Sequence, residues 1–270
     1  MADKPRLGAP TVYPERYDPE LLVALPRARG RQELALLPAA MCGADRWTAW
    51  ELSWLDSAGK PQAAVGEFLV DCSSPCLVES KSFKLYLNSL NQWRFESEEA
   101  VRACLAADLQ RAFGAPVEVR LHSLAAVAER GIAVPPGICL DDLAVSCERY
   151  RPDPALLALG EGTVEEEWLH SHLFKSNCPI TGQPDWATVI VGYGGRRLDP
   201  AALLRYLVSF RLHRAFHEHC VEQIFAELHA FLAPNWLFVE ARFTRRGGLD
   251  INPWRATVPR DPGWRRLARQ

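Results

Sequence analysis

Cys178 and Asp185 stand seven positions apart in SNCPITGQPDW, residues 176 to 186, a stretch punctuated by Pro179, Gly182 and Pro184. A thiol in such a place serves as a nucleophile, a metal ligand, half of a disulfide or a small buried apolar group. As a nucleophile it must ionise: at its ordinary pKa of about 8.5 a cysteine is only a few per cent thiolate at pH 7, yet it is intrinsically reactive. Lowering that pKa by one unit takes about 1.4 kcal/mol of local electrostatics. An ionised Asp185 would oppose the thiolate. Protonated in an apolar setting beside Trp186, it would instead serve as a general acid. The spacing alone leaves a catalytic Cys178 and a packing Cys178 both open.

Three other stretches carry chemistry-bearing residues. In ESKSFKLYLNSL, residues 79 to 90, Glu79 offers a carboxylate to the N–H groups of a heterocycle, and Lys81 and Lys84 offer charge to phosphate. The same residues also read as a solvated helix start. VIVGYGGRRLDPAALL, residues 189 to 204, invites a dinucleotide-binding reading, but Arg197 stands where the third glycine of G-x-G-x-x-G belongs and no acid ends a following strand, which favours a plain turn. Metal donors are plentiful in His170-Ser171-His172, His213, His217, His219 and Cys220. On a helix His213 and His217 would share a face with Cys220 one turn beyond, and Cys178 would complete a zinc set. Against this, HEHCV is not H-E-x-x-H and the chain has no C-x-x-C pair, so ordinary surface or core histidines are the simpler reading.

The elements that must position these residues follow from patterning. WTAWELSW and QAAVGEFLV read as two strands joined by DSAGK, residues 56 to 60. Ser97 caps a helix with acids in its first turn, a stripe of Val101, Cys104, Leu105 and Leu109, and Gly114 as its stop, after which PVEVRLHSL alternates as a strand. The C-terminal half repeats the order: strands around EEEWLHSHLFK and WATVIVGYGG, a helix opened by Asp199-Pro200, and a second from about Ala215 to Leu232 with Val221, Ile224, Phe225 and Leu228 on one face. A hairpin through WLFVEARFTRR and the residues after GG closes it. The two helix-to-strand passages overlay at a separation of about 120 residues, which suggests a duplicated two-strand, two-helix, two-strand unit. Between the copies the chain is rich in Pro, Gly and charge, so the boundary is expected near residues 145 to 160, dividing 1–150 from 151–270.

Composition sets the outer limits. A chain of 270 residues, 48% hydrophobic and 24% charged, is long enough for one large or two small cores. Its net charge of −2 and its short basic clusters, Arg196-Arg197, Arg245-Arg246 and Arg265-Arg266, argue against a nucleic-acid partner, although one such pair could hold a phosphorylated small molecule. No signal-peptide pattern opens the sequence, and no apolar run approaches the roughly 18 residues needed to span a bilayer, so a cytoplasmic location without a membrane partner is expected. The eight cysteines are scattered, and most are expected reduced and buried.

Taken together, these residues resemble the NADPH-dependent 7-cyano-7-deazaguanine reductases, the nitrile reductases of queuosine biosynthesis, in their long two-domain form. ESKSFKLYLNS (Glu79 to Ser89), SNCP with Asp185, FHEHC (Phe216 to Cys220) and FTRRGGLDINP (Phe243 to Pro253) are similar to the family's motifs, and LGAPTVYPERYDPELLVALPR resembles its opening. The resemblance implies an α+β class with two tandem tunnelling-fold (T-fold) β-β-α-α-β-β units, antiparallel sheets with helices on one face, associating with a second chain as a homodimer. It implies that the Cys178 thiolate attacks the nitrile carbon of 7-cyano-7-deazaguanine while Asp185 protonates the nitrogen, giving a covalent thioimidate that one NADPH reduces toward an imine and a second NADPH carries to the 7-aminomethyl product. Val78, Glu79, Ser80, His217 and Glu218 would grip the base, with Phe216 stacking on it; Ser80, Lys81, Arg246 and Gly247 would meet NADPH. No metal is implied, and the pocket is expected where the halves meet. The alternatives are a zinc-dependent GTP cyclohydrolase-like enzyme and a non-catalytic purine-binding protein of the same fold.

Overall fold

The computed structural model describes residues 13–32, 34 and 41–270; residues 7–12 of the expected N-terminal motif lie outside the described residues. In chain order the elements are β1 (Ala24–Pro26), α1 (Arg27–Arg31), β2 (Cys42–Leu55), β3 (Pro61–Asp71), β4 (Cys76–Val78), α2 (Ser80–Ser89), α3 (Glu98–Phe113), β5 (Val117–His122), α4 (Leu124–Glu129), β6 (Ile138–Cys139), β7 (Leu159–Asn177), β8 (Pro184–Leu198), α5 (Pro200–Val208), α6 (His217–Leu232), β9 (Trp236–Phe243) and β10 (Leu249–Ala256). The class is α+β. Of the described residues, 13–30, 45–131 and 245–251 group as one compact unit, and 31, 32, 34, 41–44, 132–244 and 252–270 as a second. The backbone passes between the two units at Gly30–Arg31, Ala44–Asp45, Gly131–Ile132, Thr244–Arg245 and Ile251–Asn252.

In the first unit the strands run in the order β5-β3-β2, and β1 pairs separately with β4. The β2–β3 turn is fixed by the Asp56 carboxylate, which accepts from the backbone of Ala58 and Lys60, and by Gly59 at φ 85°. Ser97 caps α3 through the N–H of Ala100, and Gly114, left-handed at φ 71°, stops it, as the residue types require. Val101, Leu105 and Leu109 are fully buried against Trp47, Phe68 and Phe83. After β5 the chain enters the short helix α4.

The second unit follows the β-β-α-α-β-β order through β7, β8, α5, α6, β9 and β10, with strands ordered β10-β9-β8-β7-β6. Its pairs are antiparallel apart from β6 on β7, where Cys139 lies beside His170 in a parallel pair, a departure from the expected antiparallel sheets. Asp199 caps α5 through Ala201 and Ala202, with Pro200 in the first turn, where a missing N–H costs nothing. On α6, Val221, Ile224, Phe225 and Leu228 are all fully buried, each contributing about 1.5 to 3 kcal/mol. The internal repeat extends to the helix ends. Both α3 and α6 end in a left-handed residue, Gly114 at φ 71° and Ala233 at φ 45°, each donating its N–H back to the preceding turn.

The glycines of GYGG correct the expected turn, because they lie inside β8. A Cβ on Gly192 would sit 2.5 Å from the Trp168 ring, and one on Gly194 would sit 2.3 Å from the Glu165 carbonyl and 2.5 Å from Trp236. Close approach to two tryptophans, rather than a turn or a phosphate, requires glycine there.

Glu222, on the second turn of α6, anchors this unit electrostatically. Its carboxylate accepts from Arg31 at 2.7 and 3.0 Å and from Arg255 at 2.7 and 3.0 Å, and it has no exposed surface. Burial alone would raise its pKa. The charge of Arg255, with the hydrogen bonds and charge of Arg31, outweighs that and holds it at about 2, against an ordinary 4.5. Because the folded value lies below the unfolded one, this stabilisation is complete above about pH 4.5 and drains away as the pH falls toward 2. Glu222→Gln leaves the buried Arg255 and the partly buried Arg31 short of a counter-charge, so the variant is expected to lose about 3 kcal/mol at neutral pH. Its acid limb should also flatten, as measured by urea unfolding across pH 2 to 7. An unchanged acid limb would place the acid sensitivity elsewhere.

Candidate active site

The β7–β8 hairpin brings Cys178 and Asp185 together. Ser176 pairs with Asp185 and Asn177 with Pro184, and the link is closed by the Cys178 N–H donating to the Gln183 carbonyl at 2.8 Å and the Gly182 N–H donating to the Cys178 carbonyl at 3.0 Å. Gly182 takes φ 70° in that turn. Side chains alternate along a strand, and directly paired residues share a face. Phe174, Ser176 and Cys178 are accordingly buried while Lys175 and Asn177 are only partly so, which sets Cys178 on the same buried face as Asp185. Cys178 keeps 7% exposure and Asp185 3%.

Trp186, one residue on, faces the other way. Its ring is covered by the guanidiniums of Arg211 at 5.5 Å and Arg269 at 5.2 Å. The apolar neighbour expected for the Asp185 carboxyl is therefore not Trp186. Its neighbour is His217, whose Nε2 lies 3.3 Å from Asp185 Oδ1. The His217 ring stacks on Phe243 at 3.7 Å and 3° between planes, which holds the imidazole edge-on toward the carboxylate.

His217 begins α6, and the approach to that helix is tied to the residue before Cys178. The Asn177 side-chain amide donates to the carbonyls of Arg211 and His213, its backbone N–H donates to His213, and its carbonyl accepts from Ala215. Lys175 adds bonds to Asn177 Oδ1 and to the Arg211 carbonyl. The helix and the hairpin are thus joined through one asparagine. Glu218 is 2% exposed in the first turn, where the helix dipole favours a negative charge. Phe216 is partly buried, with its ring against His219.

Cys220, one turn into α6, is fully buried, and its thiol is pushed up to about 12, chiefly by burial, with Asp185 and Glu218 adding to the rise and the Ser176 hydroxyl opposing it. It is a packing cysteine. The zinc set considered from spacing is not assembled by one helix, because His213 is extended at ψ 143° and precedes α6. Among the described residues the cysteine and histidine donors that converge are Cys139, His170 and His172.

In the first unit Val78 ends β4, paired with Ala24, and Glu79 caps α2. One Glu79 carboxylate oxygen accepts from the Lys81 N–H at 3.0 Å, the other from the Ser82 N–H at 2.7 Å, and the side chain is 6% exposed. Each oxygen retains a second lone pair for a ligand N–H. The helix start is therefore real, and it is buried rather than solvated. Ser80 and Lys81 follow in the first turn, partly exposed. Arg246 and Gly247 form a tight turn in which the Arg246 N–H donates to the Leu249 carbonyl and Gly247 and Gly248 both take positive φ, 55° and 71°. A Cβ on Gly247 would lie 3.0 Å from the Lys84 ammonium, so this turn and α2 present Lys84 beside bare backbone. Arg245 stacks on Trp50 at 4.2 Å. The basic pair at Arg196 is structural, since its guanidinium donates to the Phe231 and Leu232 carbonyls at the end of α6.

Sequence reasoning assigned no role to Asn177, Ser176 or Phe243. All three lie within the motifs, but their importance comes from a register and a ring stack that linear spacing does not express.

The N-terminal model of the nitrile reductases, 7-cyano-7-deazaguanine reductase, matches residues 13–121, and the model of the QueF-like proteins matches residues 184–261. Three proteins named NADPH-dependent 7-cyano-7-deazaguanine reductase align along nearly their whole lengths. That of Dechloromonas aromatica is 53% identical over 93% of this chain and 89% of its own, and that of Chromohalobacter salexigens is 54% identical over 98% and 96%. The protein of Azoarcus sp. is 52% identical over 95% and 92%. A solved archaeosine synthase QueF-Like chain in the apo form covers 37% of this chain at 19% identity and a TM-score of 0.32, an overlap too small to bear on the argument. With both ends matched by the family's models and about half of all positions shared with full-length members, the chain belongs to the NADPH-dependent 7-cyano-7-deazaguanine reductase family.

Proposed function

We propose that the protein reduces the nitrile of 7-cyano-7-deazaguanine to 7-aminomethyl-7-deazaguanine, a step of queuosine biosynthesis, through a thioimidate on Cys178. The observation that carries this reading is the pairing of Cys178 and Asp185 on one buried hairpin face with His217 against the carboxylate, in a chain sharing about half its residues with reductases of that name. The Cys178 sulfur adds to the nitrile carbon, the π pair moves to nitrogen, and Asp185 delivers a proton there. His217, fixed by Phe243, holds the carboxyl in place for that transfer. Covalent capture matters because a free nitrile is a poor hydride acceptor. Reduction at that carbon gives a thiohemiaminal, from which Cys178 leaves as thiolate and is restored; the imine so formed takes a second hydride and a proton to become the aminomethyl group, so one turnover consumes two NADPH.

In the first unit Val78, Glu79 and Ser80, and in the second Phe216, His217 and Glu218, are assigned to the base. Glu79 has acceptor capacity left beyond its capping bonds, and Phe216 offers a ring face. NADPH supplies hydride when bound, and Ser80, Lys81, Arg246 and Gly247 are assigned to hold it. The bare glycine backbone beside the Lys84 ammonium fits a phosphate-bearing ligand. Val78, Glu79, Ser80 and Lys81 lie in the 1–150 portion, and Phe216, His217, Glu218, Arg246 and Gly247 lie with Cys178 and Asp185 in 151–270. A homodimer acting in the cytoplasm completes the reading. No helix among the described residues is long and apolar enough to cross a membrane.

Mixing the protein with the nitrile in the absence of NADPH should yield an adduct of substrate mass on Cys178, lost in Cys178→Ala. Peptide mapping of the adduct to Cys72, Cys76 or Cys220 would move the chemistry elsewhere. Asp185→Asn preserves shape but carries no transferable proton, so stopped-flow adduct formation should slow by about 10²- to 10⁴-fold while noncovalent binding persists; a rate within about threefold of wild type would assign the proton to another group. Glu218→Gln and Glu79→Gln should weaken substrate binding by on the order of 2 to 5 kcal/mol. Glu79→Ala should also cost about 1 kcal/mol of stability through the lost α2 cap. Calorimetry showing wild-type affinity in both Gln variants would contradict the assigned grip.

A further inference from the structure

His170-Ser171-His172 plays no part in the proposed chemistry, yet the second unit gives it a setting of its own. The parallel pairing of β6 with β7 lays Cys139 beside His170, and the two-residue period of β7 returns His172 to the same side. One donor atom from each of Cys139, His170 and His172 lies within 4.8 Å of the others. Cys139 is exposed, His172 partly so, and His170 buried, so the cluster opens to solvent at its thiol.

The hydrogen bonds of the two imidazole rings point the same way. His170 Nδ1 lies 2.9 Å from the Pro136 carbonyl, which only accepts, so Nδ1 carries the hydrogen and Nε2 keeps its lone pair. His172 Nδ1 lies 2.8 Å from Thr188 Oγ1 on β8, again leaving Nε2. Ring nitrogens fixed in this way by a carbonyl and a hydroxyl are the usual support of metal-bound imidazoles. Asp141 accepts from the Ser171 hydroxyl at 2.7 Å and from the His172 N–H at 3.2 Å, and the Leu140 N–H donates to the His170 carbonyl, so the segment bearing Cys139 is fastened to β7. His172 and Cys178 are six residues apart, about 20 Å along an extended strand.

We propose that Cys139, His170 and His172 form a site for a borderline-soft divalent cation such as Zn²⁺, separate from the catalytic cysteine and independent of the proposed reaction. One thiolate and two imidazoles leave a fourth tetrahedral position to water, and this donor set disfavours Mg²⁺ and Ca²⁺. Binding releases the thiol proton of Cys139.

The test uses the full chain as Cys178→Ala, which removes the competing nucleophile, stripped with chelator and titrated with Co²⁺ as a spectroscopic probe. One Co²⁺ per chain should bind with a thiolate-to-cobalt charge-transfer band, and Zn²⁺ should displace it. Adding Cys139→Ser should abolish the band, and adding Thr188→Val should weaken binding by about 10- to 100-fold. Circular dichroism checks that each variant is folded; Cys139 is exposed, so its change to serine should be silent there. Cys139→Ser alone should retain wild-type NADPH oxidation. A band that persists in the Cys139→Ser variant, no band in Cys178→Ala, or Co²⁺ affinity no tighter than millimolar would each overturn the site.

Discussion

The register of β7 on β8 determines whether this chain has a site at all. With Ser176 opposite Asp185, the thiol two residues beyond Ser176 and the carboxylate fall on one buried face. A slip of one residue would turn either side chain to the opposite face, because a strand alternates with a period of two. The register is held from both ends. The Cys178 and Gly182 backbone bonds close the turn, and farther along β8, glycines admit Trp168 and Trp236 where any Cβ would collide.

A second constraint positions the helix that faces the hairpin. Helix α6 presents His217 and Glu218 in its first turn and Glu222 in its second, and the second is clamped between Arg31 and Arg255. A buried ion pair is a weak source of net stability, since desolvation offsets most of the attraction. Its effect here is geometric: it fixes the rotation of α6 about its axis, and that rotation aims His217 at Asp185. Asn177 performs the same service for the chain entering α6.

The first unit handles its polar residues by a related economy. Glu79 satisfies the orphan N–H groups of α2 and still has acceptor capacity, so one carboxylate can anchor the helix and remain open to a ligand. Gly247 and Gly248 take left-handed backbone that a side chain would strain, which exposes main chain next to Lys84.

Much of the secondary structure was legible in the residues. Ser97, Gly114 and the Asp199-Pro200 pair bounded helices where their chemistry requires, and the α6 stripe of Val221, Ile224, Phe225 and Leu228 is buried as its period demands. These are local properties, set by capping and by helical period. The motifs that resemble the reductases were also readable, because they are contiguous. What spacing could not supply was direction. Trp186 follows Asp185 in sequence and faces away from it, His213 precedes α6 instead of sharing a face with His217, and the GYGG glycines serve two tryptophans far off in the chain, Trp168 24 residues before Gly192 and Trp236 42 residues after Gly194. The sequence by itself determined which residues are fit for the chemistry; the tertiary structure decided which of them meet, since strand register, ring stacking and buried charge pairs join residues far apart in the chain.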